Sequence, residues 1–197
     1  MKTVLALFAF ALAPLPAAAE VPLADLSAYI TSIGSAETAF LQTNADGSTA
    51  EGRLILKRPY RMRFEYAPPD RTLVLASAST VAVFDPKSNE PPAQYPLRKT
   101  PLNLILGRRI DLTTANMVTA HGEEAGFTTV TAQDPEHPEY GSIKLYFSAD
   151  PIALRAWTVT DDTGTETHVE LGDLAVGGDY PDSLFAIGAE TERRLGD

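Results

Sequence analysis

Arg61-Met62-Arg63-Phe64-Glu65-Tyr66 alternates charged and apolar side chains without a break. Successive side chains of an extended chain point to opposite faces. Met62, Phe64 and Tyr66 therefore share one face, and Arg61, Arg63 and Glu65 the other. Such a strand is half-buried, with one face on a core and one toward water. Pro68-Pro69-Asp70 ends it.

Working outward, the same period recurs on both sides. Upstream, Phe40-Leu41-Gln42-Thr43 runs into Asp46-Gly47, a strong hairpin signal. The return strand is Arg53-Leu54-Ile55-Leu56-Lys57. Downstream, Thr72 to Leu75 and Thr80 to Phe84 read as short strands, followed by a turn at Asp85-Pro86-Lys87-Ser88-Asn89. Four more strands follow: Phe127 to Thr131, Ser142 to Phe147, Leu154 to Thr160 and Thr165 to Leu171, the last two joined by a turn at Asp161-Asp162-Thr163-Gly164. Many short antiparallel strands at regular intervals predict a sandwich or a barrel.

Two segments break the pattern. Leu23, Leu26, Ile30 and Ile33 recur at helical spacing, with Pro22 at a first-turn position and Gly34 as a stop. That helix has one apolar face and needs a surface to lie on. Thr100-Pro101-Leu102-Asn103-Leu104-Ile105-Leu106-Gly107 reads as a second, with Thr100 as N-cap, Pro101 at the first helical position and Gly107 as a left-handed stop. It is apolar nearly all round, so it is buried between layers or faces an apolar cavity.

Of the 197 residues, 44% are hydrophobic and 21% charged, as in a globular chain, and the fifteen prolines and thirteen glycines exceed what a helical bundle tolerates. The formal net charge of −10 argues against broad binding to nucleic acid or to an anionic membrane. There is no cysteine, which excludes disulfide scaffolds, thiolate metal sites, thiol nucleophiles and a lipid anchor on an N-terminal cysteine.

Residues 1–19 read as a secretory signal peptide. Lys2 gives a basic start, Val4 to Leu15 is almost wholly apolar, and Ala17-Ala18-Ala19 places cleavage before Glu20. The apolar stretch is shorter than the roughly 20 residues that span a bilayer. The product is expected to be soluble and exported, with residues 20–197 as a single domain. Export without cysteine suits the bacterial periplasm, since small extracellular proteins more often use disulfides.

Catalytic constellations are weak. His121, His137 and His168 are scattered and lack metal-ligand spacing. Asp162-Thr163-Gly164-Thr165 looks like the aspartic-protease tetrapeptide, but that chemistry needs two facing carboxylates and the chain has one copy, where a hairpin turns. No enzyme activity, cofactor or metal is expected. A basic cluster, Arg53, Lys57, Arg58, Arg61, Arg63 and Arg71, has two readings. It is either a solvated outer face with Glu51 and Glu65 as partners, or one from which Arg58 departs. Counting by twos from Leu54 and Leu56 puts Arg58 on their inward face, where a cation needs acceptors such as exposed backbone carbonyls.

In combination, Gly52-Arg53-Leu54-Ile55-Leu56-Lys57-Arg58-Pro59, Met62-x-Phe64-x-Tyr66-x-x-Pro69, Val81-Ala82-Val83-Phe84-Asp85-Pro86 and Thr100-Pro101-Leu102 resemble the LolA family of periplasmic outer-membrane lipoprotein carriers. The order and spacing match from the first helix to Asp182-Ser183-Leu184-Phe185. The resemblance implies an incomplete, unclosed antiparallel β-barrel with a helical lid, enclosing an apolar cavity. It implies acylated lipoproteins as cargo, an inner-membrane lipoprotein-releasing ABC transporter as donor, and an outer-membrane receptor or the outer membrane itself as acceptor. The carrier is expected to be a monomer that binds no nucleic acid.

The family's lid-holding arginine falls on Arg58. Acyl-chain contacts fall on Leu54, Leu56, Met62, Phe64 and Tyr66, and are expected to extend to Leu73, Leu75, Val81, Val83, Ile143, Leu145 and Phe147. Lid residues fall on Leu23, Leu26, Ile30, Ile33, Leu102, Ile105 and Leu106. Val81, Ala82 and Val83 are smaller than is common in the family, so a different cavity or lipid fits the same fold. The alternative reading is a periplasmic binding or sensing module for another lipid.

Overall fold

The computed structural model describes residues 20–114 and 116–195. The signal peptide expected over residues 1–19 lies outside them. Helix α1 (Leu23–Ser32) precedes strands β1 (Ser35–Asn44), β2 (Thr49–Lys57), β3 (Arg61–Tyr66), β4 (Leu73–Ser77), β5 (Thr80–Phe84) and β6 (Ala93–Pro96). The short helix α2 (Asn103–Leu106) interrupts the strands. After it come β7 (Val118–Glu124), β8 (Phe127–Gln133), β9 (Ser142–Ala149), β10 (Ile152–Thr160), β11 (Glu166–Leu171) and β12 (Ala175–Val176). Helix α3 (Ile187–Leu195) closes the order.

All twelve strands belong to one antiparallel sheet, ordered β6-β5-β4-β3-β2-β1-β11-β10-β9-β8-β7, with β12 against β1. The end strands β6 and β7 do not pair, so the curled sheet is unclosed. The turns are those expected. Gly47 and Gly164 take positive φ of 81° and 82°. The Asp161 carboxylate accepts from the amides of Thr163 and Thr165 and from the Thr163 hydroxyl, so the protease-like tetrapeptide forms a hairpin turn.

In-register partners share a face, which traces the inner surface. Ala36, Leu56 and Met62 form one row across β1–β3, Thr38, Leu54 and Phe64 the next, and Phe40, Gly52 and Tyr66 a third. Across β8–β10 the row is Val130, Leu145 and Trp157. Gly52 is required by close approach: a Cβ there would stand 2.1 Å from the Glu65 carbonyl oxygen and 2.8 Å from the Phe40 ring. Phe40 packs edge-on against Phe64 and Tyr66, with both centroid separations 5.1 Å.

Helix α1 lies on this inner surface with Leu26 and Ile30 buried. The β9–β10 register slips between Leu154 and Ala156, and the Tyr29 hydroxyl of α1 accepts the Leu154 amide at 3.1 Å. The segment leading into α1 is tied to the β7–β8 side, where the Val21 amide donates to Thr128 Oγ1 and His121 contacts the Val21 carbonyl and the Glu20 carboxylate.

The outer face carries a second, smaller layer. Leu73, Leu75, Ala82 and Phe84 are buried there, with Ile187 of α3 packed on them. Arg63 donates to the Leu184 carbonyl and pairs with Glu65 and with Glu190 of α3. Burial alone would push the Glu190 carboxyl up. Hydrogen bonds from Arg193 and Arg194, with the Arg63 charge, outweigh it and hold the group down at about 2.

Candidate functional site: the lidded inner face

The site is the space between the inner sheet face and a two-part lid. One part is α1; the other is the segment around α2. They are joined to each other, because the Leu112 amide donates to Ser27 Oγ at 2.9 Å and the Thr31 hydroxyl to the Ile110 carbonyl at 3.3 Å. The segment at α2 forms differently from the expectation. Thr100 does not cap the helix; its hydroxyl donates back to the Leu97 carbonyl, and 3-10-type bonds from residues 103–105 to residues 100–102 carry the chain into one short α turn. Gly107 is extended, not left-handed. Its carbonyl is thereby left free of the helix for a partner.

That partner is Arg58, in the turn after β2. Its Nη1 donates to the Ile30 carbonyl in the last turn of α1. Its Nη2 donates to the Gly107 carbonyl at 2.7 Å and, at 3.4 Å, to that of Arg108. A helix C-terminus carries partial negative charge, so a cation is well placed there. The backbone beside it adds two tethers, Arg58 N to Gly34 O and Tyr60 N to Leu106 O, each 2.8 Å. Burial lowers the Arg58 pKa, and its buried Nε has no hydrogen-bond partner among the described residues. The bridge holds both lid parts with a guanidinium that is incompletely satisfied.

Beneath the bridge a nearly wholly apolar void remains, of about 40 Å³. It is lined by Ile30 and Ile33 of the first lid element, Ile105 and Leu106 of the second, and Leu54, Leu56 and Met62 of the sheet. Such a space holds about one water molecule. A larger open cleft of about 500 Å³ adjoins it and shares the Trp157 side chain. Phe64, Leu102, Val159 and Val169 give the cleft an apolar floor, and Gln42, Lys99, Tyr140 and Asp162 lie around it.

Of the expected residues, Leu54, Leu56, Met62, Ile30, Ile33, Ile105 and Leu106 line the void and Phe64 and Leu102 the cleft, while the others line neither. Phe64 faces the cleft, and Tyr66 sits above it with its hydroxyl on Gln42 Oε1 at 2.6 Å. Burial pushes the Tyr66 phenol up to about 12. Val81 and Val83 are on the inner face, in register with Ala76 and Val74. Ile143, Leu145 and Phe147 are fully buried on that face in the main core with Leu26. There Tyr29 of α1 meets Phe147 edge-on at 6.2 Å. Leu23 packs at the margin of that core.

Leu73 and Leu75 are corrected. They partner Glu65 and Arg63 on the outer face, under the C-terminal layer, and do not reach the cavity. Leu73-Val74-Leu75-Ala76 is apolar on both faces, so the sequence carries no phase; Val74 and Ala76 are the inward pair.

The basic cluster divides, but not wholly with the expected partners or exposure: Glu51 forms no ion pair among the described residues, and Arg63 is buried under the C-terminal layer. Arg53 pairs with Glu37 and Glu65, Lys57 and Arg61 with Asp182, and Arg63 as above, all on the outer face; Arg58 alone turns to the lid. Trp157, Leu154, Leu171 and Leu174 also line the void and were not anticipated. The register slip in β10 puts Leu154 and Trp157, three apart, on one side, so counting by twos fails there.

The family model described as outer membrane lipoprotein carrier protein LolA matches residues 31–188. The outer-membrane lipoprotein carrier protein of Chromohalobacter salexigens is 29% identical over 196 aligned residues, covering 94% of this chain and 92% of that protein. Among solved structures, an outer membrane lipoprotein-sorting protein domain from Vibrio parahaemolyticus aligns with a TM-score of 0.48 at 10% identity, covering 85% of this chain and 96% of the other. A LolA superfamily protein from Nitrosomonas europaea aligns at 0.43 and 11%, covering 84% and 98%. With the family model matched across most of the chain and a lidded, unclosed barrel beneath it, the protein belongs to the LolA family of outer membrane lipoprotein carriers.

Proposed function

We propose that this protein is a periplasmic carrier that takes lipoproteins from an inner-membrane ABC transporter, shields their acyl chains, and delivers them to an outer-membrane receptor or to the outer membrane itself. It acts as a monomer, without cofactor or catalytic step, after removal of residues 1–19. The observation that carries this reading is the single cation, Arg58, that joins both halves of a lid over an apolar face.

Each buried methylene is worth about 0.8 kcal/mol, so two or three acyl chains have a transfer term of tens of kcal/mol. A carrier must match that surface and still release it. The closed void of about 40 Å³ is far too small for an acyl chain. Filling the space beneath Arg58 therefore moves the lid and exposes surface that α1 and α2 now cover, whereas the adjoining cleft of about 500 Å³ is already open. Leu54, Leu56, Met62, Phe64, Tyr66, Val81, Val83, Ile143, Leu145 and Phe147 are the proposed acyl contacts on the sheet. Leu23, Leu26, Ile30, Ile33, Leu102, Ile105 and Leu106 are the proposed lid contacts. Met62 adds an adaptable thioether side chain to the lining.

Co-purification tests the reading. Protein isolated from cells making a labelled lipoprotein should carry that acylated protein, identified by mass spectrometry. Recovery of a free fatty acid or glycolipid instead would favour a binding or sensing module for another lipid.

A further inference from the structure

The cations of this acidic chain are not distributed evenly with respect to their partners. Most of those on the outer face are neutralised by carboxylates. Arg98, Lys99, Arg108 and Arg109 form no ion pair among the described residues, and all four are exposed. They bracket α2, the second half of the lid. Residues 91–110 contain no Asp or Glu. Acids do flank the patch: Asp111 follows Arg109 and is held low chiefly by its hydrogen bonds from Thr113, with a smaller contribution from Arg109, and Asp161 and Asp162 lie across the cleft that Lys99 lines.

The surroundings of this patch are those of an interface with lipid. Tyr95, 54% exposed, and Lys99 line the same 500 Å³ cleft, whose apolar floor includes Phe64, Leu102 and Trp157. A tyrosine beside unpaired cations suits the headgroup level of a bilayer, and guanidinium groups match phosphate oxygens.

We propose that the lid rim, Arg98, Lys99, Arg108 and Arg109, docks on an anionic phospholipid surface, with the cleft mouth at headgroup level. The acidic remainder of the protein is repelled by the same surface. The contact is therefore weak, reversible and oriented, with the lid toward the bilayer. An acyl chain leaving the membrane then enters apolar surface without crossing bulk water. The docking itself requires only the charge pattern; its use in loading rests on the carrier reading.

Vesicle co-sedimentation of the exported, processed protein tests this. Binding to phosphatidylcholine vesicles containing phosphatidylglycerol is expected at low ionic strength, with none to pure phosphatidylcholine, and added salt should abolish it. Each lid cation is worth about fivefold in affinity, so Arg108→Glu with Arg109→Glu should lower binding by more than about 25-fold. Arg98→Glu with Lys99→Glu should do the same, which guards against misfolding of one pair. Arg71→Glu with Lys87→Glu, equal in charge but away from the lid, should change binding little. Equal binding to both vesicle types, or an equal loss in the Arg71/Lys87 variant, would overturn the proposal. So would capture by an acidic protein surface without binding to phosphatidylglycerol. Lipoprotein co-purification that survives in a variant deficient in vesicle binding would leave the carrier reading intact while removing docking from its mechanism.

Discussion

The Arg58 guanidinium joins the Ile30 carbonyl of α1 to the Gly107 carbonyl beyond α2, 28 and 49 residues away from it in the chain. Hydrogen bonds from a charged donor contribute about 1.5–3 kcal/mol each, offset here by burial of the charge and by its unpartnered Nε. Arg58→Leu should shift the lid toward open by about 2 kcal/mol. Binding of an apolar fluorescent dye should rise, amide exchange at Ile105 and Leu106 should quicken, and lipoprotein transfer between membranes should fall. Unchanged transfer by this variant would remove the latch assignment.

Tyr29→Phe tests how α1 is seated. It leaves the partly buried ring against Phe147 but removes the acceptor for the Leu154 amide at the register slip. A loss of about 1–2 kcal/mol in urea unfolding is expected, with faster exchange of the Leu154 amide.

Gly52→Ala should be far more costly than its size implies. The added Cβ meets the Glu65 carbonyl oxygen and the Phe40 ring, and the β2–β3 pairing leaves neither room to move. A loss of about 3 kcal/mol, read as a lower unfolding midpoint, is expected.

Leu75→Ala separates stability from the site. Leu75 is fully buried in the outer layer, so truncation should cost about 2–5 kcal/mol. Cargo bound per folded molecule should be unchanged. A loss of cargo at full folding would place Leu75 in the acyl site after all.

Acid should release α3. The folded Glu190 pKa, about 2, lies below its unfolded value of about 4.5. Its contribution is therefore present above the unfolded pKa and lost as pH falls from about 4.5 toward 2. It amounts to about 3 kcal/mol at most. Glu190→Gln should flatten the stability profile across that window while lowering stability at neutral pH.

Much of this was legible in the chain. The alternation from Arg61 to Tyr66 marked the inner row through its period of two, but the face expected toward water is covered at Arg63, which is buried beside Glu190. Asp46-Gly47 and Asp161 to Gly164 marked their hairpins through turn chemistry that acts locally. Leu23, Leu26, Ile30 and Ile33 marked a lid face, and parity set Arg58 apart from its basic neighbours. Parity failed where its physical basis did. Leu73 and Leu75 lie in a strand buried on both faces, and Trp157 follows a register slip. Helix α3 and the edge strands β6, β7 and β12 were missed. Those strands are short or largely exposed, and α3 carries its one buried residue, Glu190, as a charge.

The sequence by itself determined a β-rich chain with two apolar helical segments, a basic cluster in which parity offered Arg58 as an inward cation, and a resemblance to the LolA family. Local periodicity, turn residues and charge spacing are short-range properties that a single chain displays. Tertiary structure alone decided which carbonyls Arg58 reaches, that the lid closes down to a void of about 40 Å³, and which cations go unpaired around it. Those depend on where distant segments meet, and hydrogen bonds, voids and ion pairs exist only between atoms already brought into contact.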